Sequence, residues 1–294
     1  MEKVRKLIWE GLLNVEVAID NELVIPGTPR DECLVHLRIP RDSYLVIYLP
    51  TILHKLKDVL KDDTLDAFKG WWFGMENVFL YWNHPVGVLY DSLSGLNPAL
   101  RKANTATNEF INVWKITLSH RDEIPSGMIP IIYGTKQIQE FWMHQWKQAC
   151  FILNGSSKQV MSLSMSDSMQ FWEGVLQRDD RAFQSISEKI IPGANAIRNI
   201  PLKIHQTLPE VKVVQPTVKA TNNEKNTTLG EVLHKEFPQW FPKSGGTPEL
   251  AKPIIQGIEV PLEFSLADLY YKLVSLDGFL HVSICLISSE ENAK

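Results

Sequence analysis

The chain has 294 residues, which suits about two domains at the usual ~100–200 residues each. Hydrophobic residues make up 44% and charged residues 22%, the balance of an ordinary soluble globular protein rather than a disordered one. The formal charge of −4 gives no global attraction to nucleic acid or to an anionic membrane, which leaves only a local basic patch open.

Val4, Leu7, Ile8 and Leu12 fall at helical spacing, so a short amphipathic helix opens the chain and Gly11 ends it. Leu13, Val15, Val17 and Ile19 alternate with polar residues, as a half-buried strand does. After a turn rich in proline and glycine, Val35, Leu37 and Ile39 alternate again, which predicts a hairpin with one wet face. TILHKLKDVLKD (51–62) places Ile52, Leu56, Val59 and Leu60 on one helical face. GWWFG and NVFLYW read as short strands, and HPVGVLYDSLSG as a short helix with Pro85 in its first turn and Gly95 near its end. EFINVWKITLS follows as a strand with Trp114, Ile116 and Leu118 on one side.

Between residues 136 and 191 the pattern turns helical: KQIQEFWMHQWKQACFIL is one helix, SDSMQFWEGVLQRDDRAFQSISEKII one or two more, and Pro192-Gly193 closes the block. The C-terminal third then repeats the order of the first. Leu202, Ile204 and Gln206 alternate with Lys203 and His205, and VKVVQPTV pairs as a second strand. TLGEVLHKEF is a helix opened by a Thr228/Glu231 capping box. FPQWFPKSGGTPELAKP is a loop, IIQGIEV a short strand, LADLYYKLVS a short helix, and FLHVSICLI a strand after the Asp277-Gly278 turn. Both ends thus share one element order, an internal repeat of the ubiquitin superfold. The expected class is α+β, with two ubiquitin-like (β-grasp) domains flanking a helix-rich one. The expected boundaries are 1–12 for the N-terminal helix, 13–135, 136–195 and 196–294.

One residue of the central helix stands out. With Ile138 at 0° and about 100° per residue, Phe141, Trp142, Trp146, Ala149, Ile152 and Leu153 fall between ~300° and ~80°, and Lys147 at ~180°. The helix therefore buries an aromatic stripe and turns Lys147 outward. Its neighbours three and four residues away are Met143, His144, Cys150 and Phe151, none of them a carboxylate. A lysine beside methionine and phenylalanine suits a surface that a partner covers, although other parts of the same chain could equally cover these neighbours.

Other chemistry is poorly supported. Cys33, Cys150 and Cys285 form no CxxC or zinc-ligand spacing, and no phosphate loop, dinucleotide fingerprint or HExxH is present, so no cofactor or metal is expected. His144 and Cys150 lie ~120° apart around the helix and ~9 Å along it, too far for a nucleophile–base dyad, so Cys150 reads as a packed core thiol. Asn154-Gly-Ser and Asn226-Thr-Thr match the glycosylation sequon, but a cytosolic chain would not be modified there. Trp71, Trp72 and Trp82 read as packing. The N-terminus lacks the apolar core of a signal peptide, and no run approaches the ~18 apolar residues of a membrane span, which points to the cytosol.

HQWKQACFILNGSSK, YWNHPVGVLYDSLSG and IIQGIEVPLEF…DLYYKL…DGFLHVSICLI resemble the fungal autophagy protein 5 family, as do NVEVAI, PGTPR and HLRIPRDSYLVIYLP near the start. The resemblance covers nearly the whole chain. It implies a scaffold that is not an enzyme by itself, with two ubiquitin-like domains around a helical one. It further implies that one lysine, Lys147 by motif match, accepts the C-terminal glycine of the ubiquitin-like modifier autophagy protein 12 in an isopeptide bond. The N-terminal helix of the coiled-coil autophagy protein 16 would bind in a groove. Activating and conjugating enzymes would visit transiently, and no nucleic acid is implied. The conjugate would act like a ligase, promoting attachment of a second ubiquitin-like protein to phosphatidylethanolamine. Its place would be cytoplasmic and peripheral, on the preautophagosomal structure or isolation membrane. Met143, His144 and Phe151 would surround the acceptor at the partner surface.

The chemistry sets a condition on that role. A free lysine titrates near ~10.4 and is mostly charged at neutral pH; the apolar neighbours Met143 and Phe151 and docking of the conjugating enzyme would both desolvate the amine, and docking is expected to contribute more. Two other readings compete. One is a ubiquitin-like module that binds partners only noncovalently. The other is a membrane-surface adaptor using Lys3, Arg5 and Lys6 of the first helix. Against the adaptor, that helix is expected to dock on the first ubiquitin-like sheet, while direct membrane contact by the whole assembly stays open.

Overall fold

The computed structural model describes residues 2–61, 66–94, 112–193, 196–207, 210–243 and 250–287. Gly95, the 109–111 start of EFINVWKITLS and residues 244–249 of the proline- and glycine-rich loop lie outside these. The chain forms two compact units. One holds the described parts of 11–90 and 96–141, the other those of 1–10, 91–95 and 142–294.

The first unit contains β1 (Leu12–Ile19), β2 (Leu34–Pro40), α2 (Leu49–Leu56), β3 (Trp71–Met75), β4 (Val78–Leu80), the start of α3 (Val86–Ser94) and β5 (Val113–His120); α1 (Glu2–Trp9) precedes it in the chain. Its strands form one sheet in the order β2-β1-β5-β3-β4, with β1 and β5 parallel at the centre and the other pairs antiparallel. Alternation decides which side is dry: Val15 and Val17 of β1 and Trp114, Ile116 and Leu118 of β5 are buried with Ile52 and Leu56 of α2. The opposite side carries Glu16, whose carboxylate meets Lys115 at 3.3 Å and His36 at 3.2 Å across the strands. Burial raises the Glu16 pKa, but hydrogen bonds and charge from His36 and Lys115 outweigh it and hold the carboxyl below its ordinary value.

The second unit contains the helices α4 (Thr135–Asn154, from Trp142 onward), α5 (Lys158–Met161), α6 (Met165–Gln177) and α7 (Asp180–Ile190). Ser164 caps α6, accepting from the Asp167 amide at 2.9 Å, and Asp179 caps α7, accepting from Ala182 at 3.1 Å. The strands follow as β6 (Asn199–Ile200), β7 (Leu202–Gln206), β8 (Lys212–Val214), β9 (Val218–Lys219), β10 (Thr221–Asn222) and β11 (Lys225–Asn226). After them come α8 (Leu229–Glu236), β12 (Ala251–Ile255), β13 (Ile258–Glu259), α9 (Leu266–Leu273) and β14 (Leu280–Leu286). The main sheet runs β13-β12-β14-β7-β8, with β14 and β7 parallel at its centre. Matched strand by strand, this is the order of the first sheet. The protein is therefore α+β, and the predicted repeat is a repeat of topology. Leu202, Ile204, Leu280, Val282 and Ile284 pack against Leu229 and Leu233 of α8, which the Thr228/Glu231 capping box opens as predicted.

Five local expectations need correction. The helix predicted over 51–62 ends at Leu56; Val59 and Leu60 are buried from the turn beyond it. VKVVQPTV is two strands, because Pro216 lacks an N–H: β8 pairs with β7, while β9 pairs with β6 in a separate ladder. IIQGIEV is a hairpin rather than one strand, with Gln256 (φ 52°) and Gly257 (φ 78°) both left-handed in a two-residue turn. The predicted loop gives way to β12 at Ala251 despite Pro253, whose nitrogen faces the end of the two-residue edge strand β13 and costs the ladder little.

The fifth correction concerns α1, which docks in the second unit and not on the first ubiquitin-like sheet. Ile8 packs on the core of the second sheet, and the Trp9 ring lies 5.1 Å from that of Phe183. The Trp9 indole donates to the Arg178 carbonyl at 3.3 Å, and the Arg178 guanidinium donates back to the Trp9 carbonyl while lying 4.2 Å over its ring. A terminal tryptophan with a cation and an aromatic ring to bury against is held more firmly there than on a polar sheet face.

Candidate functional site

The aromatic side of α4 is seated on the turn before β14. The indole N–H groups of Trp142 and Trp146 both donate to the carbonyl of Leu276, each at 2.8 Å. Gly278 has φ +83°, and a Cβ there would meet the Ala149 Cβ at 2.9 Å and the Trp146 ring at 3.0 Å. Only glycine allows both this backbone and this approach. The Gly278 carbonyl also accepts from the Tyr270 hydroxyl at 3.0 Å.

Lys147 lies on the other side of the helix, half-buried. Met143 beside it is half-buried, His144 is exposed, and Phe151 is 60% exposed. His144 Nε2 sits 3.1 Å from Gln148 Nε2. Among the described residues, Lys147 has no hydrogen-bond or ion-pair partner. Further exposed apolar side chains follow on the next two helices, at Met161, Met165 and Met169. The arrangement presents one amine beside apolar side chains, with no carboxylate paired to it and no hydrogen bond to His144 among the described residues.

Cys150 is fully buried and its thiol faces the Ser156 carbonyl at 3.3 Å and Gln159 Oε1 at 3.4 Å, as a packed thiol would. Trp71 and Trp82 are buried, and the Trp82 indole donates to the Ile129 carbonyl at 2.8 Å. No three His, Cys, Asp or Glu side chains among the described residues are grouped to hold a metal. A concavity of about 910 Å³ lies on the first unit, lined by Ala18, Trp72, Gly74, Phe79 and Thr117 among others; it does not include Lys147.

Sequence reasoning missed a buried polar cluster in the second unit. The Asp277 carboxylate accepts from the Phe279 amide at 3.1 Å and from His281 Nε2 at 3.0 and 3.1 Å. His281 Nδ1 in turn meets His205 Nε2 at 2.8 Å. Burial raises the Asp277 pKa, but the charge and hydrogen bond of His281 and the charge of Lys203 outweigh it and hold the carboxyl below its ordinary value. The Lys203 ammonium hydrogen-bonds Gln145 Oε1 of α4 and lies 4.0 Å from the Phe279 ring centre. Burial lowers its pKa and Asp277 opposes the drop. The available signal was Gln145, which falls at about 340° on the helical wheel, a polar residue inside the apolar arc.

Comparison with known proteins decides the family. Family models match residues 8–120 (Autophagy protein ATG5, UblA domain), 135–193 (alpha-helical bundle region) and 199–284 (UblB domain). The chain belongs to the autophagy protein 5 family. It is 48% identical over 286 residues to autophagy protein 5 of Eremothecium gossypii, covering 97% of this chain and 96% of the relative. With the Saccharomyces cerevisiae protein the identity is 39% over 303 residues, covering 100% and 99%. The crystal structure of Kluyveromyces marxianus Atg5 matches with a TM-score of 0.81 at 34% identity, covering 96% of this chain and 99% of that one. Membership in the autophagy protein 5 family carries a role in autophagy and two ubiquitin-like domains flanking a helical bundle. No helix among the described residues is long and apolar enough to cross a membrane.

Proposed function

We propose that this member of the autophagy protein 5 family is a scaffold, not an enzyme by itself, and that Lys147 forms an isopeptide bond with the ubiquitin-like modifier autophagy protein 12. The bond forms when the Lys147 amine attacks the thioester joining the modifier's C-terminal glycine to the conjugating enzyme; the enzyme's thiol leaves and the amine loses a proton. The observation that carries the reading is the placement of Lys147: it shares a surface with Met143 and exposed Phe151 and has no ionic partner among the described residues. With no base hydrogen-bonded to it, docking of the conjugating enzyme supplies the desolvation that favours the neutral amine.

The proposal extends to the assembly. The conjugate binds the N-terminal helix of autophagy protein 16 and promotes attachment of a second ubiquitin-like protein to phosphatidylethanolamine. It works in the cytoplasm and peripherally on the isolation membrane. The working division is 1–12, 13–135, 136–195 and 196–294.

The test supplies the chain with the modifier and its activating and conjugating enzymes, and compares wild type with Lys147→Arg by gel shift and mass spectrometry. Loss of the adduct in a variant that still folds and binds the coiled coil is the expected result. No adduct on wild type would leave a noncovalent module. An adduct persisting in the variant would move the acceptor elsewhere, Lys158 being the next lysine along the chain.

A further inference from the structure

The apolar arc of α4 is broad. Buried side chains run from Ile138 through Trp142, Trp146 and Ala149 to Cys150, about a third of the circumference at ~100° per residue. Apolar burial alone is non-directional and tolerates a helix rotation of tens of degrees. At a side-chain radius of about 5–6 Å, a rotation of ~20° would carry the outward lysine roughly 2 Å. Group transfer is sensitive to displacements near ~1 Å. Something directional must fix the helix if Lys147 is to be presented reproducibly.

Two devices in the second unit are directional. One is the pair of indole N–H groups on the Leu276 carbonyl. The other is the bond from the Lys203 ammonium to Gln145, two residues before Lys147. The second is unusual, because Lys203 is half-buried with its ammonium turned toward the α4 contact, and withdrawing an ammonium from water is costly unless it is paired. Here the ammonium is held by Gln145, the Phe279 ring and the nearby Asp277 carboxylate, itself fixed by His281. An apolar pair at 145 and 203 would bury the same region without that cost.

We infer that Gln145 and Lys203 are positioning residues for Lys147: their partly buried hydrogen bond sets the rotation of α4 on the second ubiquitin-like sheet and so the direction in which the acceptor amine is presented. The inference rests on the reading of Lys147 as the acceptor, and its test separates the two.

The informative variant is the double Gln145→Leu/Lys203→Met, which removes both ends of the bond together, while Asp277 keeps the Phe279 amide and His281 as partners. It is compared with Gln145→Glu, which keeps an oxygen acceptor for the ammonium. Single-turnover transfer to Lys147 is measured at saturating charged conjugating enzyme, alongside thermal unfolding. Labelling of Lys147 by a small N-hydroxysuccinimide ester is measured by mass spectrometry, with exposed Lys158 as internal reference.

The double variant should keep a near-native unfolding midpoint yet transfer about fivefold or more slowly, while Gln145→Glu stays within about twofold of wild type. The Lys147/Lys158 labelling ratio of the double variant should change by at least about twofold. Wild-type transfer by the double variant, or Gln145→Glu slowed as much as it, overturns the inference. If wild type forms no adduct on Lys147, the acceptor reading falls, and the labelling decides alone: an unchanged ratio overturns positioning as well, and a changed ratio upholds it.

Discussion

The two ubiquitin-like sheets share a strand order but differ in what their second faces do. In the first, Lys115 and Thr117 of the central strand stand exposed between buried Trp114, Ile116 and Leu118, and Glu16 pairs with His36 and Lys115 at the surface. In the second, all but the last residue of β14 are buried, and His205, His281 and Ser283 are buried on the side opposite Ile204 and Val282. Glu16 on the first sheet is in solvated pairs; the second sheet has one such pair at its edge, Lys252 with Glu259 at 3.3 Å, but at its centre Asp277, His281 and Lys203 form a network reaching α4. Topology therefore does not decide whether a sheet is one-sided. What packs on its far face does.

That contrast can be tested by substitution, starting where the second unit is most tightly built. Trp142→Ala removes a fully buried side chain and one of two hydrogen bonds to Leu276. A loss of about 3–5 kcal/mol in urea unfolding is expected. A loss under about 1 kcal/mol would mean that the turn and α4 do not depend on each other.

Asp277 gives the next largest effect and a pH signature. Its carboxyl is held below the ordinary 3.8, so the folded state binds the proton less readily than the unfolded one. The stabilisation is complete above that value and disappears as pH falls through it to the depressed folded value. Asp277→Ala should cost roughly 3 kcal/mol near neutrality by leaving His281 and Lys203 without their carboxylate. Its stability should also fall less than that of wild type between pH 5 and pH 2.5, as a urea-midpoint series would show. Parallel acid limbs would break the assignment.

A smaller effect is expected at the helix start. Thr228→Ala removes one half of the capping box and should cost about 1 kcal/mol in the same assay. Smallest of all is Glu16→Gln on the first sheet. Its pairs are surface ones, so a change within about 0.5 kcal/mol is expected, shrinking further in 1 M salt. A loss comparable to that at Asp277 would erase the distinction between the sheets.

Much was legible in the linear pattern. Alternation at Val15, Val17, Ile116 and Leu118, the Thr228/Glu231 cap and the aromatic spacing of α4 are local signals, because period and capping chemistry act over a few residues. They were enough for most of the element order and for the repeat; Lys147, expected to stand exposed, is half-buried. Three features were not legible. The seat of α1 against Trp9's distant contacts at Arg178 and Phe183 joins residues about 170 apart in sequence. Lys203 and His205 alternated as a wet strand would, yet His205 is buried against His281 and Lys203 is half-buried against Gln145. The turn at Gly278 has the sequence of any Asp-Gly turn, yet Trp146 and Ala149 pack against it. Sequence thus determined the type and order of most helices and strands, though not all of their bounds, since hydrogen bonding and side-chain period are local. Tertiary structure alone decided which polar groups would be buried, since burial depends on which distant segment comes to cover them.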